Sequence, residues 1–134
     1  MDDSENAAQA LAYALDNFPD AEVTVLHVVG VPSPMMGQAT ALTLADDVDD
    51  AAAERAEPVF ERANDLAAER DRAITTIVDV GHPARNVIGR GAEYDTIVIG
   101  AHGGDRRDAA RRFLVGNVAD TVARRAPVPV VIVR

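Results

Sequence analysis

Three glycines in the C-terminal half of the chain are spaced like the corners of a phosphate-binding loop. Gly100 and Gly103 follow the apolar run 97–99, and Gly116 precedes Asn117 where a helical pattern begins. Backbone N–H groups at such a turn and at a helix N-terminus are unpaired and carry partial positive charge, so they attract anions. These residues therefore predict a phosphate site where a strand ends and a helix begins.

The elements that must position this loop alternate between strands and helices. Apolar residues at helical spacing predict helices, and nearly continuous apolar runs predict strands that are buried on both faces. The predicted helices cover residues 4–18, 46–70, a short stretch from 83, and 116–125, and the predicted strands cover 22–29, 74–80, 96–100 and 128–133. This order indicates one α/β domain over residues 1–134, with an open parallel sheet, helices on both faces and right-handed crossovers.

Single residues refine these elements. Ser4 can cap the first helix, and Pro83 suits the first position of a helix. Pro58 is expected to kink the helix 46–70 or split it in two. Because Pro129 cannot donate to a strand ladder, the last strand is expected at an edge of the sheet.

The composition excludes several classes of protein. There is no cysteine, so disulfides, thiolate metal sites and cysteine nucleophiles are excluded. All 13 basic residues are arginine, which excludes Schiff-base chemistry and a Walker-type lysine. No apolar run approaches the roughly 20 residues of a membrane span, and the acidic N-terminus does not resemble a signal peptide. We therefore expect a cytoplasmic protein.

The net charge of −9, with aspartate and arginine dominant, suits a salt-rich cytoplasm in which self-repulsion is screened. We interpret it as halophilic adaptation, and a GC-rich genome is the alternative explanation. Because binding to nucleic acid needs clustered cations, no nucleic-acid partner is expected. The aspartates at 46–50 are explained by the dipole of a helix start, so no metal site is predicted there.

Five segments in the correct order resemble the universal stress protein family. They are residues 2–7, 26–28, 80–83, 99–103 and 126–134. The resemblance covers nearly the whole chain and implies an adenine nucleotide alpha hydrolase-like, Rossmann-like fold. It further implies a stress-response signalling protein that binds ATP or another adenine nucleotide, with magnesium, and acts as a homodimer.

The resemblance also assigns residues to the nucleotide site. Asp2 matches an acidic residue near ribose and metal, Val28 would contact adenine, and the glycine corners would hold the phosphates. The full set of candidate binding residues is Asp2, Val28, Ile99, Gly100, Ala101, His102, Gly103, Gly116, Asn117 and Val118. No catalytic residue is assigned, and His27 and His82 are expected to be structural.

The chain departs from the family pattern at its start. Family members begin with an apolar strand ahead of the aspartate, and here only Met1 precedes Asp2. Four strands are therefore expected instead of five. Since that strand is central in the family, its loss would leave a gap near twice the usual strand spacing of about 4.8 Å, or would force its neighbours together. We expect the true chain to start upstream; a four-stranded variant that closes up or borrows a strand from a partner is the alternative.

The second departure lies in the loop. Nucleotide-binding members resemble Gly-x₂-Gly-x₉-Gly followed by Ser or Thr, whereas here the second spacer has twelve residues and Asn117 replaces the hydroxyl residue. Asparagine can still cap a helix and donate to a phosphate oxygen. The longer loop carries four arginines that could bind phosphates bidentately or pair with surface aspartates. They are Arg106, Arg107, Arg111 and Arg112.

Partners and activity follow from the same resemblance. The Val-rich segment 128–133 is the expected seam of a homodimer, because an edge strand can pair with its two-fold mate. Since no dedicated general base is evident, any ATP hydrolysis is expected to be slow and incidental. Two alternatives stay open: a nucleotide-free module for protein–protein interaction, and an enzyme of the hydrolase-like fold.

Overall fold

Four helices and four strands alternate in the part of the chain that the structure, a computed structural model, describes: residues 1–30, 45–102 and 116–134. Each lies within about two residues of its predicted position. In chain order they are α1 (Glu5–Asn17), β1 (Val23–Val29), α2 (Ala45–Ala68), β2 (Ile74–Val80), α3 (Pro83–Gly91), β3 (Ile97–Gly100), α4 (Asn117–Arg125) and β4 (Val130–Val133). None of the described helices is long and apolar enough to cross a membrane.

The strands are parallel, as predicted, and they form two separate pairs. β1 pairs with β2 from Val23 opposite Ile74 onwards, and β3 pairs with β4 from Ile97 opposite Val130 onwards. No ladder joins the two pairs among the described strands. The parallel α/β architecture is therefore confirmed, and among the described strands the two pairs do not close into a single sheet.

The helices hold the two strand pairs together. α1 packs against β1, β3 and β4, and α2 packs against α1, β1 and β2. α3 and α4 contact each other, while α3 also meets β1 and α4 also meets β4. Helices therefore cover both faces, and α1 links one strand pair to the other across the gap. Beneath α1 and α2 the core consists of small and branched side chains, namely Leu11, Leu15, Val25, Ala63 and Ala67.

The first turn of α1 is fixed by its cap. The side chain of Ser4 accepts the Ala7 N–H at 3.1 Å, as the sequence predicts. The Ser4 N–H in turn donates to the Asp2 carboxylate at 3.0 Å. These local bonds set the direction in which the chain enters α1 from the gap between the strand pairs.

Pro58 does not split α2, so that part of the prediction is wrong. The helix runs continuously through 24 residues with Pro58 inside it. Pro58 and Glu54 are both exposed, whereas Ala56 and Val59 are buried. Because the ring lies on the water side, the Glu54 carbonyl that loses its helical partner can bond to solvent instead.

The last strand starts two residues later than predicted, and its edge position is confirmed among the described strands. The Pro129 carbonyl accepts the Ile97 N–H at 3.0 Å, so this proline contributes its acceptor to the ladder and needs no donor. β4 pairs only with β3 in the described part of the chain. Pro129 directly precedes the strand, a position where the missing proline N–H does little harm.

Arg72, just before β2, connects the end of α1 to the start of the first strand pair. Its guanidinium donates to the carbonyls of Leu15 at 2.7 Å, Phe18 at 3.1 Å and Ala21 at 2.8 Å. These carbonyls lie at and beyond the C-terminus of α1, where helical partners run out. One arginine thus closes the turn between α1 and β1.

Candidate functional site

The start of α4 is fixed against the carboxyl ends of β3 and β4 by backbone hydrogen bonds. The Gly116 N–H donates to the Ala101 carbonyl at 2.7 Å, and the Ala101 N–H donates to the Val133 carbonyl at 2.8 Å. Ala101 is only 1% exposed, so its peptide groups are held firmly in place. The strand end and the helix start that the sequence linked to phosphate binding are therefore neighbours.

Gly116, and not Asn117, occupies the cap position of α4. Gly116 is extended, at φ −62° and ψ 157°, and no side chain of the described residues caps the helix. Asn117 is already helical, so the expectation that its side chain caps the helix is wrong. A Cβ on residue 116 would lie 3.0 Å from the Ala101 carbonyl oxygen, so the cap position favours glycine. The first intrahelical bond joins Asp120 N–H to the Gly116 carbonyl, so the N–H groups of residues 117–119 point out of the helix start.

A cavity of about 600 Å³ lies between β1 and β3, and its lining includes the carboxyl ends of both strands. Nine of the ten candidate residues line it, and the tenth, Gly103, lies outside the described residues, as do the four loop arginines. The nine are Asp2, Val28, Ile99, Gly100, Ala101, His102, Gly116, Asn117 and Val118. The topology thus brings together residues that are more than 100 positions apart in the sequence.

Gly100 has a packing role that the sequence did not reveal. A Cβ on this residue would lie 2.9 Å from the carbonyl carbon and oxygen of Asn6 in α1. The first turn of α1 therefore packs directly on the backbone of β3. The motif glycine that the sequence assigned to a phosphate turn also permits a helix to approach a strand closely.

One cationic side chain at the cavity was missed by the sequence analysis. Arg90 of α3 lines the cavity and binds Asp79 of β2 through two hydrogen bonds, of 2.5 and 2.7 Å. These hydrogen bonds hold the pKa of Asp79 below its ordinary value and outweigh the opposing effect of partial burial. The pair is 11 residues apart and joins a strand to a helix, so no local spacing signals it. Because Asp79 already neutralises Arg90, this arginine is a poor candidate for binding phosphate.

The Asp79–Arg90 pair predicts a pH dependence of stability. A carboxyl whose pKa is lowered on folding contributes stability above its unfolded pKa of about 3.9, and that contribution is lost as the pH falls through the lower folded pKa. We expect Asp79→Asn to be destabilised relative to the wild type at pH 7 and this difference to shrink below pH 4. Urea midpoints between pH 7 and pH 3, at constant ionic strength, measure it.

Asp120→Asn is the matched control, because Asp120 pairs with Arg124 on an exposed helix face. Exposed pairs contribute little, so this variant should follow the wild type closely across the pH range. If Asp79→Asn and Asp120→Asn give parallel profiles, the Asp79–Arg90 pair makes no special contribution to folding.

The three histidines lie in different environments. The Nδ1 of His27 is 2.6 Å from the Met1 carbonyl oxygen, and its ring meets Phe60 edge to face. His82 precedes α3 at the cap position without a side-chain capping bond. His102 lies among the cavity residues, next to the start of α4. Within the described residues no group of three histidine or acidic side chains could hold a metal ion.

These features define an α/β protein with a cavity at the carboxyl ends of its parallel strands, the place where such sheets bind ligands. The family model of the universal stress protein family matches residues 1–134. The chain belongs to this family. No curated protein sequence matches it.

Solved structures show the same fold. A universal stress protein from Lactobacillus plantarum superposes with a TM-score of 0.77 at 24% identity, covering 100% of this chain and 93% of that one. One from Archaeoglobus fulgidus gives 0.71 at 17% identity, covering 100% and 93%. A universal stress protein in complex with cAMP gives 0.65 at 23% identity, covering 100% and 92%.

Proposed function

We propose that this protein is a stress-response signalling protein that binds ATP or a related adenine nucleotide at the carboxyl ends of β1 and β3. The observation that carries the proposal is the 2.7 Å bond from the Gly116 N–H to the Ala101 carbonyl, because it fixes the start of α4 beside the end of β3. A family relative in complex with cAMP supports the same class of ligand.

The proposed pose follows the chemistry of the lining. The phosphates lie at the N–H groups of residues 117–119, where the helix dipole favours negative charge. The adenine lies against the apolar wall that includes Val28, which is half-buried. The absence of a side chain at Gly116 leaves the backbone of the helix start accessible to the phosphate oxygens.

The residues that line the cavity could bind magnesium only together with the phosphates of a nucleotide. Magnesium in nucleotide sites is bound by one or two carboxylates together with phosphate oxygens and water. At the carboxyl-end side of the cavity, Asp2 is the carboxylate that the described lining offers. Its oxygen accepts the Ser4 N–H at 3.0 Å, which orients it. Asp2 would hold the ion, and the ion would supply neutralisation of phosphate charge.

We also propose a homodimer in which β4 pairs with its two-fold mate. The supporting observation is the free edge of β4 in the described sheet, with four consecutive β-branched residues. Edge strands of this kind present a row of unpaired backbone groups to a partner. In this arrangement a nucleotide bound at the end of β3 would lie one strand away from the dimer interface.

A nucleotide-free interaction module is the second candidate, and one observation favours it. Arg90, the arginine in the described lining, is already paired with Asp79. In this case the described lining would offer the phosphates no unpaired arginine. The protein would then signal through its surfaces alone.

Calorimetric titration with MgATP in molar KCl separates the two candidates, with cAMP and GTP as comparison ligands. Saturable heat with an adenine nucleotide, and weaker heat with GTP, is the expected result. Native mass spectrometry of the purified protein tests for a retained nucleotide, and sedimentation velocity gives the mass of the assembly. No heat with any nucleotide, and none retained, would leave the interaction module as the function.

A further inference from the structure

We propose that Arg90, held in place by Asp79, stacks a face of its guanidinium on the base of the bound nucleotide and thereby selects purines over pyrimidines. Because it assigns a base-recognising residue to the nucleotide site, this inference rests on the proposed function. Three observations support it: the place of the Asp79–Arg90 pair beside Val28, the way in which the guanidinium is held, and the apolar surface around it.

The first observation is the place of the pair in the sheet. Asp79 of β2 is the ladder partner of Val28 of β1. Ladder partners in neighbouring strands lie about 4.8 Å apart and project their side chains from the same face of the sheet. The carboxylate that holds Arg90 is therefore next to the residue at which the base is proposed to lie.

Arg90 reaches this level of the sheet from the last turn of α3. α3 begins just after β2 ends, and it packs against β1. Helical side chains tilt towards the N-terminus of their helix, so the long side chain of Arg90 extends back towards the end of β2. Arg90 and Val28 accordingly line the same cavity.

The second observation is the way in which the guanidinium is held. Its Nε donates to one carboxylate oxygen of Asp79 at 2.5 Å, and its Nη2 donates to the other at 2.7 Å. Paired bonds of this kind favour a carboxylate in the plane of the guanidinium, which leaves the two flat faces uncovered by Asp79. The Arg90 side chain is 36% exposed and that of Asp79 is 19% exposed. A ligand can therefore reach the arginine more easily than the carboxylate that orients it.

Neutralisation by Asp79 changes what Arg90 can bind. An arginine whose charge is already balanced attracts a phosphate much less than an unpaired arginine does. Its flat face is weakly hydrated and still packs well on aromatic rings. The base is the planar, uncharged part of a nucleotide, so it is the part that suits Arg90.

The third observation is the apolar surface around Arg90. Pro83 and Val87 line the cavity from the same side of α3, because helical positions three or four apart share a face. Ile77 and Val28 add apolar side chains from the sheet. A purine would bury more of its surface here than a pyrimidine would. Guanine stacks as adenine does, so Arg90 would discriminate by the size of the base.

The test compares Arg90→Lys with the wild type in calorimetric titrations with MgATP and with MgUTP, in molar KCl. Lysine keeps the charge and can still pair with Asp79, but it lacks the flat face. The two nucleotides share their ribose and triphosphate, so a change in the fold or at the phosphates would weaken both alike. We expect Arg90→Lys to bind MgATP about tenfold more weakly and MgUTP almost as the wild type does.

Arg124→Lys is the matched control. Arg124 also pairs with an aspartate, Asp120, but this pair lies on an exposed face of α4. The control variant should bind both nucleotides with the affinities of the wild type.

A second measurement reports the stacking itself. The hydrogen bond to Asp79 protects the Nε–H of Arg90 from exchange with water, and the loss of this NMR signal in Arg90→Lys assigns it. Protons above the face of adenine move upfield because of its ring current. We expect such a shift of the Nε–H resonance on saturation with MgATP, and a much smaller shift with MgUTP.

Four results would overturn the proposal. An unchanged affinity of Arg90→Lys for MgATP, or an equal loss for both nucleotides, would show that Arg90 does not recognise the base, while nucleotide binding itself would stand. An Nε–H resonance that stays in place at saturating MgATP would exclude stacking in the same way. If the wild type binds neither nucleotide, the proposed function fails and the base contact fails with it.

Discussion

Substituting alanine for Gly100 is expected to lower the free energy of unfolding by about 1–3 kcal/mol, the usual cost of overpacking. The added Cβ would lie 2.9 Å from the backbone carbon and oxygen of Asn6, a distance that requires something to move. Both sides of this contact are backbone, so α1 must shift away from β3. Because α1 links the two strand pairs, the loss should appear as a lower urea midpoint for the whole domain.

Gly89→Ala is the matched control for this change. Gly89 lies on the exposed side of α3, and an added Cβ there meets nothing within 4 Å. Alanine is better than glycine inside a helix by about 1 kcal/mol, so this variant should be as stable as the wild type or more so. A Gly100→Ala protein that unfolds at the wild-type midpoint would show that α1 does not pack on β3 as closely as described.

Gly116→Val is expected to weaken binding of MgATP by at least about tenfold, which corresponds to about 1.4 kcal/mol. The Cβ would lie 3.0 Å from the Ala101 carbonyl oxygen, and Ala101 is held by its own bond to Val133. The start of α4 must therefore move away from the end of β3. Its N–H groups then no longer converge with the strand end on one phosphate. Calorimetric titration measures the affinity.

Two control variants and a check of folding accompany Gly116→Val. Gly116→Ala adds the same Cβ without the two methyl groups and should weaken binding less, while Gly89→Ala should bind as the wild type does. Circular dichroism establishes that each variant is folded before titration. If Gly116→Val is folded and binds MgATP with unchanged affinity, the phosphates do not lie at the start of α4.

Much of the fold could be predicted because the signals are local. Ser4 indicates the start of α1, because it lies just before an amphipathic run. The length and composition of the apolar run 97–99 predict β3. Pro129 signals an edge strand because it lacks a donor, and β4 does lie at the edge of the described sheet. In each case the local sequence alone decides the outcome.

The rest depends on contacts between distant residues. Arg72 reaches three carbonyls more than 50 residues away, and Arg90 reaches Asp79 on another element. Pro58 is tolerated in α2 because it faces water, which the sequence pattern alone did not decide. Gly100 was assigned to a turn for phosphate, and its packing on Asn6 became visible only when α1 was placed. Tertiary contacts override local preference at these positions.

The candidate site, too, could be predicted only in part. The sequence and the family resemblance selected ten residues, and the topology brings nine of them to one cavity. The position of the helix cap was wrong by one residue, because the closeness of Gly116 to Ala101 depends on how α4 meets β3. Gly103 and the four arginines of the longer loop stay as sequence predictions.

An NMR titration of isotope-labelled protein with MgATP in molar KCl tests the central proposal most directly, because it locates the ligand. We expect saturable shifts of the amide resonances of Ala101, His102, Asn117 and Val118, with an adenine-dependent shift at Val28. Unchanged spectra at millimolar MgATP, or shifts confined to α2, would contradict this proposal.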